Sequence, residues 1–225
     1  MNVALIVAAG RGTRMGPNVD KIFLEIGGLP IVAHTWLKFD SCPQISEVVM
    51  VVRDGMQEAF LELANEHRFT KPFRLVAGGA ERQDSVWNGL RSIPEGAEVV
   101  AIQDAARPCT SPDLIRRCLI AAREGGAAVA SQRAIDTIKE SNGGTLIAKH
   151  LDRSRLWAVQ TPQCFQLEVI RRALQAVRNS GLLVTDDTAA CELIGQQVHL
   201  VESTEPNPKI TTAGDIPLLR SLLVG

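Results

Sequence analysis

Short, β-branched apolar runs alternate along the chain with stretches in which apolar residues recur at helical spacing. Val3–Val7, Val48–Val52, Arg74–Val76, Val99–Ile102 and Ala127–Ala130 fit strands. Between them, Asp54 reads as an N-cap with Gln57 as its return partner, and Met56, Phe60, Leu63 and Ala64 mark one helical face. Ser111-Pro112-Asp113 opens a second helix, with proline at its first position, and Thr212 with Asp215 opens the last. The alternation predicts an α/β fold, a mostly parallel sheet flanked by helices, in a single domain spanning 1–225. One stretch breaks the rhythm: Ala134–Leu151 reads as two short strands around the turn Ser141-Asn142-Gly143-Gly144. An isolated hairpin is marginal in water. This arm, at about 132–155, is therefore expected to pack on a second copy of the chain or to fold back on its own subunit.

The charge balance narrows the partners. The 225 residues carry a net charge of -1 with 22% charged and 45% hydrophobic residues, which lacks the basic excess of a nucleic-acid binder. An anionic ligand must be met by a local cluster of Arg and Lys. Cysteines at 42, 109, 118, 164 and 191 are odd in number and show no zinc-site spacing, so reduced thiols in the cytoplasm are the simplest account. The apolar start, Val3 to Ala9, is about half a membrane span and has no basic residue before it. It suits a buried first strand, and no other stretch is long and apolar enough to span a bilayer.

After that strand comes Ala8-Ala9-Gly10-Arg11-Gly12-Thr13-Arg14-Met15-Gly16, then Lys21. Glycines 10 and 12 leave backbone N–H groups open to an anion, and Arg14 and Lys21 add charge. A dinucleotide fingerprint would need a third glycine where Met15 stands, and the Gly-Lys of a P-loop is missing. The glycines alone fit a phosphate cradle and a plain turn equally well. With Lys21, however, the segment resembles the signature loop of nucleotidyltransferases that make nucleoside-diphosphate sugars and alcohols. That resemblance implies a Rossmann-like sheet and a loop that holds an NTP triphosphate through Ala8, Ala9, Gly10, Gly12, Arg14 and Lys21. The family's loop often ends Pro-Lys-Gln, where this chain has Asp20-Lys21-Ile22.

Further segments are similar to one branch, the 2-C-methyl-D-erythritol 4-phosphate cytidylyltransferases. The stretch Gly78-Gly79-Ala80-Glu81-Arg82-Gln83-Asp84-Ser85-Val86 matches the turn that surrounds cytosine, which implies CTP contacts from Gly79, Ala80, Arg82 and Ser85, the Ser85 hydroxyl able to donate or accept. Gln103-Asp104-Ala105-Ala106-Arg107-Pro108 follows a buried strand, at the kind of strand end where α/β sheets bind ligands. The resemblance places Asp104 on the nucleotide and Arg107 on the acceptor, and Asp104 is a candidate ligand for Mg²⁺ or another divalent cation. Asp152–Phe165 is the most specific match, bringing Arg153 and Thr161 to the acceptor phosphate. In that family the arm enters the partner subunit, so Arg153 and Thr137 would complete the neighbour's site in a homodimer. Thr185-Asp186-Asp187 resembles the family's Thr-Asp-Glu with one methylene fewer, and Lys209 in Asn207-Pro208-Lys209-Ile210-Thr211 matches its phosphate-holding lysine. Taken without the family, these last two segments are a helix cap and a solvated loop lysine.

The resemblance implies attack by a polyol phosphate on the α-phosphorus of CTP, with Arg14, Lys21, Arg153 and Lys209 as the catalytic cations, in the non-mevalonate route to isoprenoids. The four histidines, 34, 67, 150 and 199, lie outside these motifs. A ribitol 5-phosphate cytidylyltransferase shares most of the pattern. A sugar 1-phosphate nucleotidyltransferase leaves the cytosine and Arg153 segments unexplained, and an NAD(P)-binding oxidoreductase conflicts with the glycine spacing. A non-catalytic nucleotide-binding regulator would have little use for both Arg14 and Lys21.

Overall fold

The computed structural model describes residues 1–10 and 20–225. Within them the chain runs β1 (Asn2–Ala8), β2 (Glu25–Ile26), β3 (Leu29–Pro30), α1 (Ile31–Asp40), β4 (Glu47–Val52), α2 (Gln57–His67), β5 (Phe73–Ala77), α3 (Arg82–Ser92), β6 (Val99–Asp104) and α4 (Pro112–Gly125). It continues through β7 (Ala127–Arg133), β8 (Lys139–Glu140), β9 (Lys149–His150), β10 (Trp157–Gln166), α5 (Leu167–Ser180), α6 (Asp187–Leu193), β11 (His199–Glu202) and α7 (Ile216–Val224).

The main sheet has the order β11-β7-β10-β6-β1-β4-β5. The pairs around β1 and the β11–β7 pair are parallel, and β10 alone runs antiparallel, between β6 and β7. Alternate residues of the central strands enter two separate cores. Ala4, Ile6, Val48 and Met50 face Trp36 and Phe39 of α1, Phe60 of α2 and Leu114 of α4. Val3, Leu5, Val49, Val51 and Ile102 face Val86 and Leu90 of α3 and Ile170 and Leu174 of α5. Cover on both faces is why these strands are apolar without alternation. Each fully buried Leu or Ile contributes about 1.5–3 kcal/mol.

All five expected strands form, and the one read at Arg74–Val76 gains a residue at each end. The patterns did not reveal β10, because Gln160, Thr161 and Gln163 interrupt its apolar run with buried polar groups. Ser111 caps α4 by accepting from the Leu114 N–H at 3.3 Å, and a Thr212–Asp215 capping box precedes α7. Asp54 does not cap α2. That helix begins at Gln57 behind Met56, with no side-chain cap, because Gly55 turns the chain at φ 81° after Asp54. The hairpin is also looser than a tight turn at 141–144: only Lys139–His150 and Glu140–Lys149 pair, with residues 141–148 between them. Residues 139–150 are exposed throughout. Among the described residues no helix is long and apolar enough to cross a membrane, and the five cysteines are unpaired.

Gly89 sets how closely α3 approaches the sheet. A Cβ there would come within 2.7 Å of Leu5 Cδ1 and 2.8 Å of Val51 Cγ2. Alanine is favoured over glycine in a helix by about 1 kcal/mol, whereas overpacking a core costs about 1–3 kcal/mol. Gly89→Ala is therefore expected to lower the urea midpoint by the equivalent of about 1 kcal/mol; an unchanged or raised midpoint would show that the α3 interface has room to spare.

Candidate active site

The chain leaves β1 towards β4 and β5 on one side and returns to β6 on the other, so the strand order reverses between β1 and β6. Carboxyl ends of strands at such a reversal leave a crevice that no crossover covers. Here the crevice is a cleft lined by Ala8, Ala9 and Gly10 after β1, Lys21 and Ile22, the turn from Gly79 to Arg82 with Ser85, Asp104 to Ala106 after β6, and Lys209. Ala8, Ala9, Gly10, Lys21, Gly79, Ala80, Arg82, Ser85, Asp104 and Lys209, expected at the site from widely separated segments, thus line one cleft, whereas Arg107 and Thr161 lie behind its lining. Gly12 and Arg14 lie outside the described residues.

At one end, the turn into α3 is fixed by its own bonds. Glu81 and Asp84 form a reciprocal capping box. Ser85 Oγ accepts from the Gly79 N–H at 3.0 Å and donates to the Glu81 carbonyl at 3.2 Å. Its only proton is therefore spent on the turn, which leaves the hydroxyl acceptor capacity for a ligand but no donor. A Cβ on Gly78 would collide with the Ala9 side chain, and one on Gly79 with that of Asp84, so both positions require glycine for close packing.

At the other end, one carboxylate gathers three cations. Asp104 Oδ2 lies 2.7 Å from Lys209 Nζ and 3.7 Å from Arg107 Nε, while Oδ1 lies 3.7 Å from Arg82 Nε. Burial favours the neutral acid, but Lys209, then Arg82 and Arg107, overcome it and hold the Asp104 carboxyl below its ordinary range. Burial pulls the Arg107 guanidinium down, with Asp104 opposing. Arg82 also reaches Asp187 Oδ2 at 2.8 Å, as an ion pair without hydrogen-bond alignment. Burial works against the charge on Arg82, yet Asp187 and Asp104 together raise its pKa above the ordinary value. Asp187 is 0% exposed; burial pushes its carboxyl up, and Arg82 only partly offsets this.

Lys21 stands between the two ends. Its Nζ donates to the Ile210 carbonyl at 3.0 Å, which ties it to the segment that carries Lys209. The carboxylate beside it is engaged elsewhere, since Asp20 Oδ2 pairs with Arg53 Nη2 at 2.5 Å. Thr161 Oγ1 accepts from the Asp104 N–H at 3.1 Å, so it supports the cluster from beneath. Thr137 and Arg153 do not line this cleft. They sit exposed on the hairpin arm, where Arg153 Nη1 donates to the Ile135 carbonyl.

Two segments that look plain when taken without the family are built into this cluster, and some of their supporting residues escape the motif reading. Lys209 is no solvated loop lysine, and Asp187 is more than a helix cap; the cap of α6 is Asp186, which accepts from the Ala189 N–H at 2.9 Å. Gln163 joins β10 to this turn, donating to Asp186 and accepting from the Asp187 N–H, both at 3.1 Å. Gln103 and Asn207 are likewise buried, Gln103 bonded through its Nε2 and Asn207 through both ends of its amide, and no sequence period marks them. No histidine lines the cleft among the described residues.

Comparison with known proteins places this geometry. Residues 2–224 match the family model for 2-C-methyl-D-erythritol 4-phosphate cytidylyltransferase. A relative of that name from Geobacillus kaustophilus is 40% identical over 98% of this chain and 96% of its own, and one from Clostridium acetobutylicum is 39% identical over 99% and 97%. Among solved structures, the 4-diphosphocytidyl-2C-methyl-D-erythritol synthase of Anaerococcus prevotii superposes with a TM-score of 0.88 at 26% identity, covering 99% of this chain and 95% of that one. The cytidylyltransferase from Thermus thermophilus gives 0.78 at 29% identity, over 97% and 96%. With a model matched nearly end to end and relatives of this identity over almost the whole chain, the protein belongs to the 2-C-methyl-D-erythritol 4-phosphate cytidylyltransferase family.

Proposed function

We infer that the protein transfers a cytidylyl group from CTP to 2-C-methyl-D-erythritol 4-phosphate, releasing pyrophosphate. The observation that carries this reading is the polarity of the cleft: a tight turn with open backbone at one end, Arg82, Arg107 and Lys209 gathered around Asp104 at the other, and Lys21 between them. The nucleobase suits the Gly79–Ser85 turn, and the triphosphate suits the segment after β1 together with Lys21 and Arg14. The acceptor phosphate then meets Lys209 and Arg107.

A phosphate monoester has its second pKa at about 6, so at neutral pH it is already the nucleophile. No side chain has to remove a proton, in keeping with a cleft that no described histidine lines. The demand is instead to bring two polyanions together and to stabilise charge that grows on the bridging oxygens. Lys209 and Arg107 hold the acceptor dianion in line, and Lys21 takes up charge at the α-phosphate. Leaving pyrophosphate is met by the cations of the first loop.

The divalent ion of this reading, Mg²⁺ by preference, has one fitting ligand. Asp104 is held ionised, and its Oδ1 faces Arg82 only at 3.7 Å, beyond hydrogen-bond reach. Among the described residues no three His, Cys, Asp or Glu side chains converge as a metal site. A lone carboxylate suits Mg²⁺, which commonly takes one or two carboxylates and completes its shell with substrate phosphates and water. When bound, the ion would neutralise phosphate charge.

Dimerisation through the arm belongs to the same reading. Ile135 and Leu146 are 84% and 83% exposed on a hairpin with only two residue pairs, which gains stability by burial against a second copy. Arg153 and Thr137 travel on that arm and would complete the partner's acceptor site.

With Mg²⁺ and CTP, the purified protein should release pyrophosphate strongly with methylerythritol phosphate and weakly with ribitol 5-phosphate; the reverse preference would move it to the rival acceptor. Lys21→Ala should lower kcat by about 10²–10³-fold while calorimetry finds CTP affinity changed only a few-fold. A pure binding defect would remove Lys21 from the reaction. Lys21→Ala and Arg153→Ala protomers, each inactive alone, should regain about a quarter of wild-type activity when mixed and re-equilibrated, since half the dimers then hold one intact site. No recovery would place Arg153 in its own subunit's site or outside the reaction.

A further inference from the structure

Three loops meet beneath the cation cluster, and one side chain joins them all. The loop after β6 carries Asp104, Arg107 and Thr110. β10 loses its regular register with β7 between Val159 and Gln163, which frees Gln160 and Thr161 from that ladder. The segment after β11 carries Asn207 and Lys209.

Asn207 is 2% exposed, and its amide is fully satisfied across these loops. Its Nδ2 donates to Gln160 Oε1 at 3.1 Å and to the Thr161 carbonyl at 2.9 Å, and its Oδ1 accepts from Thr110 Oγ1 at 2.9 Å. Its own carbonyl accepts from Arg107 Nη1 at 2.7 Å. Thr110 Oγ1 in turn accepts from Gln103 Nε2 at 2.9 Å, and Gln103 immediately precedes Asp104. Every arm of this network ends on, or next to, a residue of the acceptor end. None ends on the turn at Gly79 and Ser85, which is held by separate bonds.

We propose that Asn207 is the positioning residue of the acceptor-phosphate site, fixing Arg107 and Lys209 against Asp104 through the Thr110–Asn207–Thr161 tie. This rests on the reading of the acceptor end given above. The chemistry needs an amide there. Two acceptors, Gln160 Oε1 and the Thr161 carbonyl, face one donor group, while Thr110 must donate, and only a side chain with a forked N–H₂ and a carbonyl meets all three at once. Buried groups left unmatched by a substitution each cost about 1–3 kcal/mol, enough for the loops to reset instead. A displacement of about 1 Å in a phosphate-holding cation can cost 10²-fold, so modest resetting is enough to disable the site.

The test compares wild type with N207A and with the near-isosteric T110V, which removes the donor to Asn207 and the acceptor for Gln103 with little loss of volume. Steady-state pyrophosphate release should show the acceptor KM raised about 10–100-fold in N207A and about 3–10-fold in T110V, with the KM and calorimetric Kd for CTP within two-fold of wild type. Whichever polyol phosphate the wild type uses serves as acceptor. Inorganic phosphate titrated into each folded protein gives a readout independent of turnover, and its affinity should fall in the same order. If the wild type turns over neither polyol phosphate, the functional reading fails, and the phosphate titration still decides the role of Asn207. An acceptor KM and a phosphate affinity unchanged in both variants would overturn the proposal. So would CTP and acceptor affinities falling together in T110V, because that outcome marks general loss of structure.

Discussion

The carboxylate of Asp104 is the anchor on which the rest of the cleft depends. Three cationic side chains from α3, the loop after β6 and the segment after β11 come within 4 Å of its two oxygens. Without an anion among them, these groups would repel one another in a poorly solvated pocket, and breaking such a buried arrangement by removing one partner typically costs about 3–5 kcal/mol. The same concentration of positive charge is what two polyanionic reactants require. Asp104 therefore keeps in place a set of cations at one point of the cleft, and in the reading proposed above their partners in turnover are phosphates. Asp187 extends the arrangement inward by holding the far side of Arg82, which places the guanidinium between a fully buried carboxylate and the cleft floor.

The sheet explains why so many segments can serve one point. Strand order reverses between β1 and β6, so the chain leaves their carboxyl ends in opposite directions and neither loop covers the other. The turn at Gly79 arrives from β5, and Lys209 arrives from beyond β11 at the other edge of the sheet. The loop after β6 and the backbone of Ile210 meet in the middle, where the Ile210 N–H donates to the Ala106 carbonyl at 2.9 Å. Because the floor is built from strands buried on both faces, the loops are fixed to a base that cannot shift without disturbing two cores at once.

How much of this was legible in the sequence follows from the kind of signal each feature leaves. Val48–Val52 and Val99–Ile102 are strands by composition alone, since burial on both faces demands uninterrupted apolar residues. β10 hid because it carries Gln160, Thr161 and Gln163, whose polar groups bond to other loops and break the apolar pattern. The Gly-Gly-Ala segment pointed to the turn before α3, whose requirement is local backbone shape. The cation cluster depends on groups about 100 residues apart, such as Arg107 and Asn207, and no local pattern encodes a long-range hydrogen bond. Asp54 misled for a related reason: its spacing to Gln57 fits a cap, but Gly55 turns the chain before the helix begins.

The departure at Asp20-Lys21-Ile22 shows how a local change can be absorbed by a distant residue. A carboxylate next to a lysine would ordinarily compete with an anionic ligand for that lysine. Asp20 instead points to Arg53, at the end of β4, and the resulting pair is only partly exposed, so its charge is met before it can act on the cleft. Ile22 is 4% exposed and packs into the core shared with α1 and α2, which anchors the segment by burial where the family's proline would stiffen it covalently. Lys21 thus has a buried neighbour on one side and a neutralised one on the other, with its own Nζ directed onto the Ile210 carbonyl. The position of the lysine is thus set by packing and pairing around it, without a proline beside it.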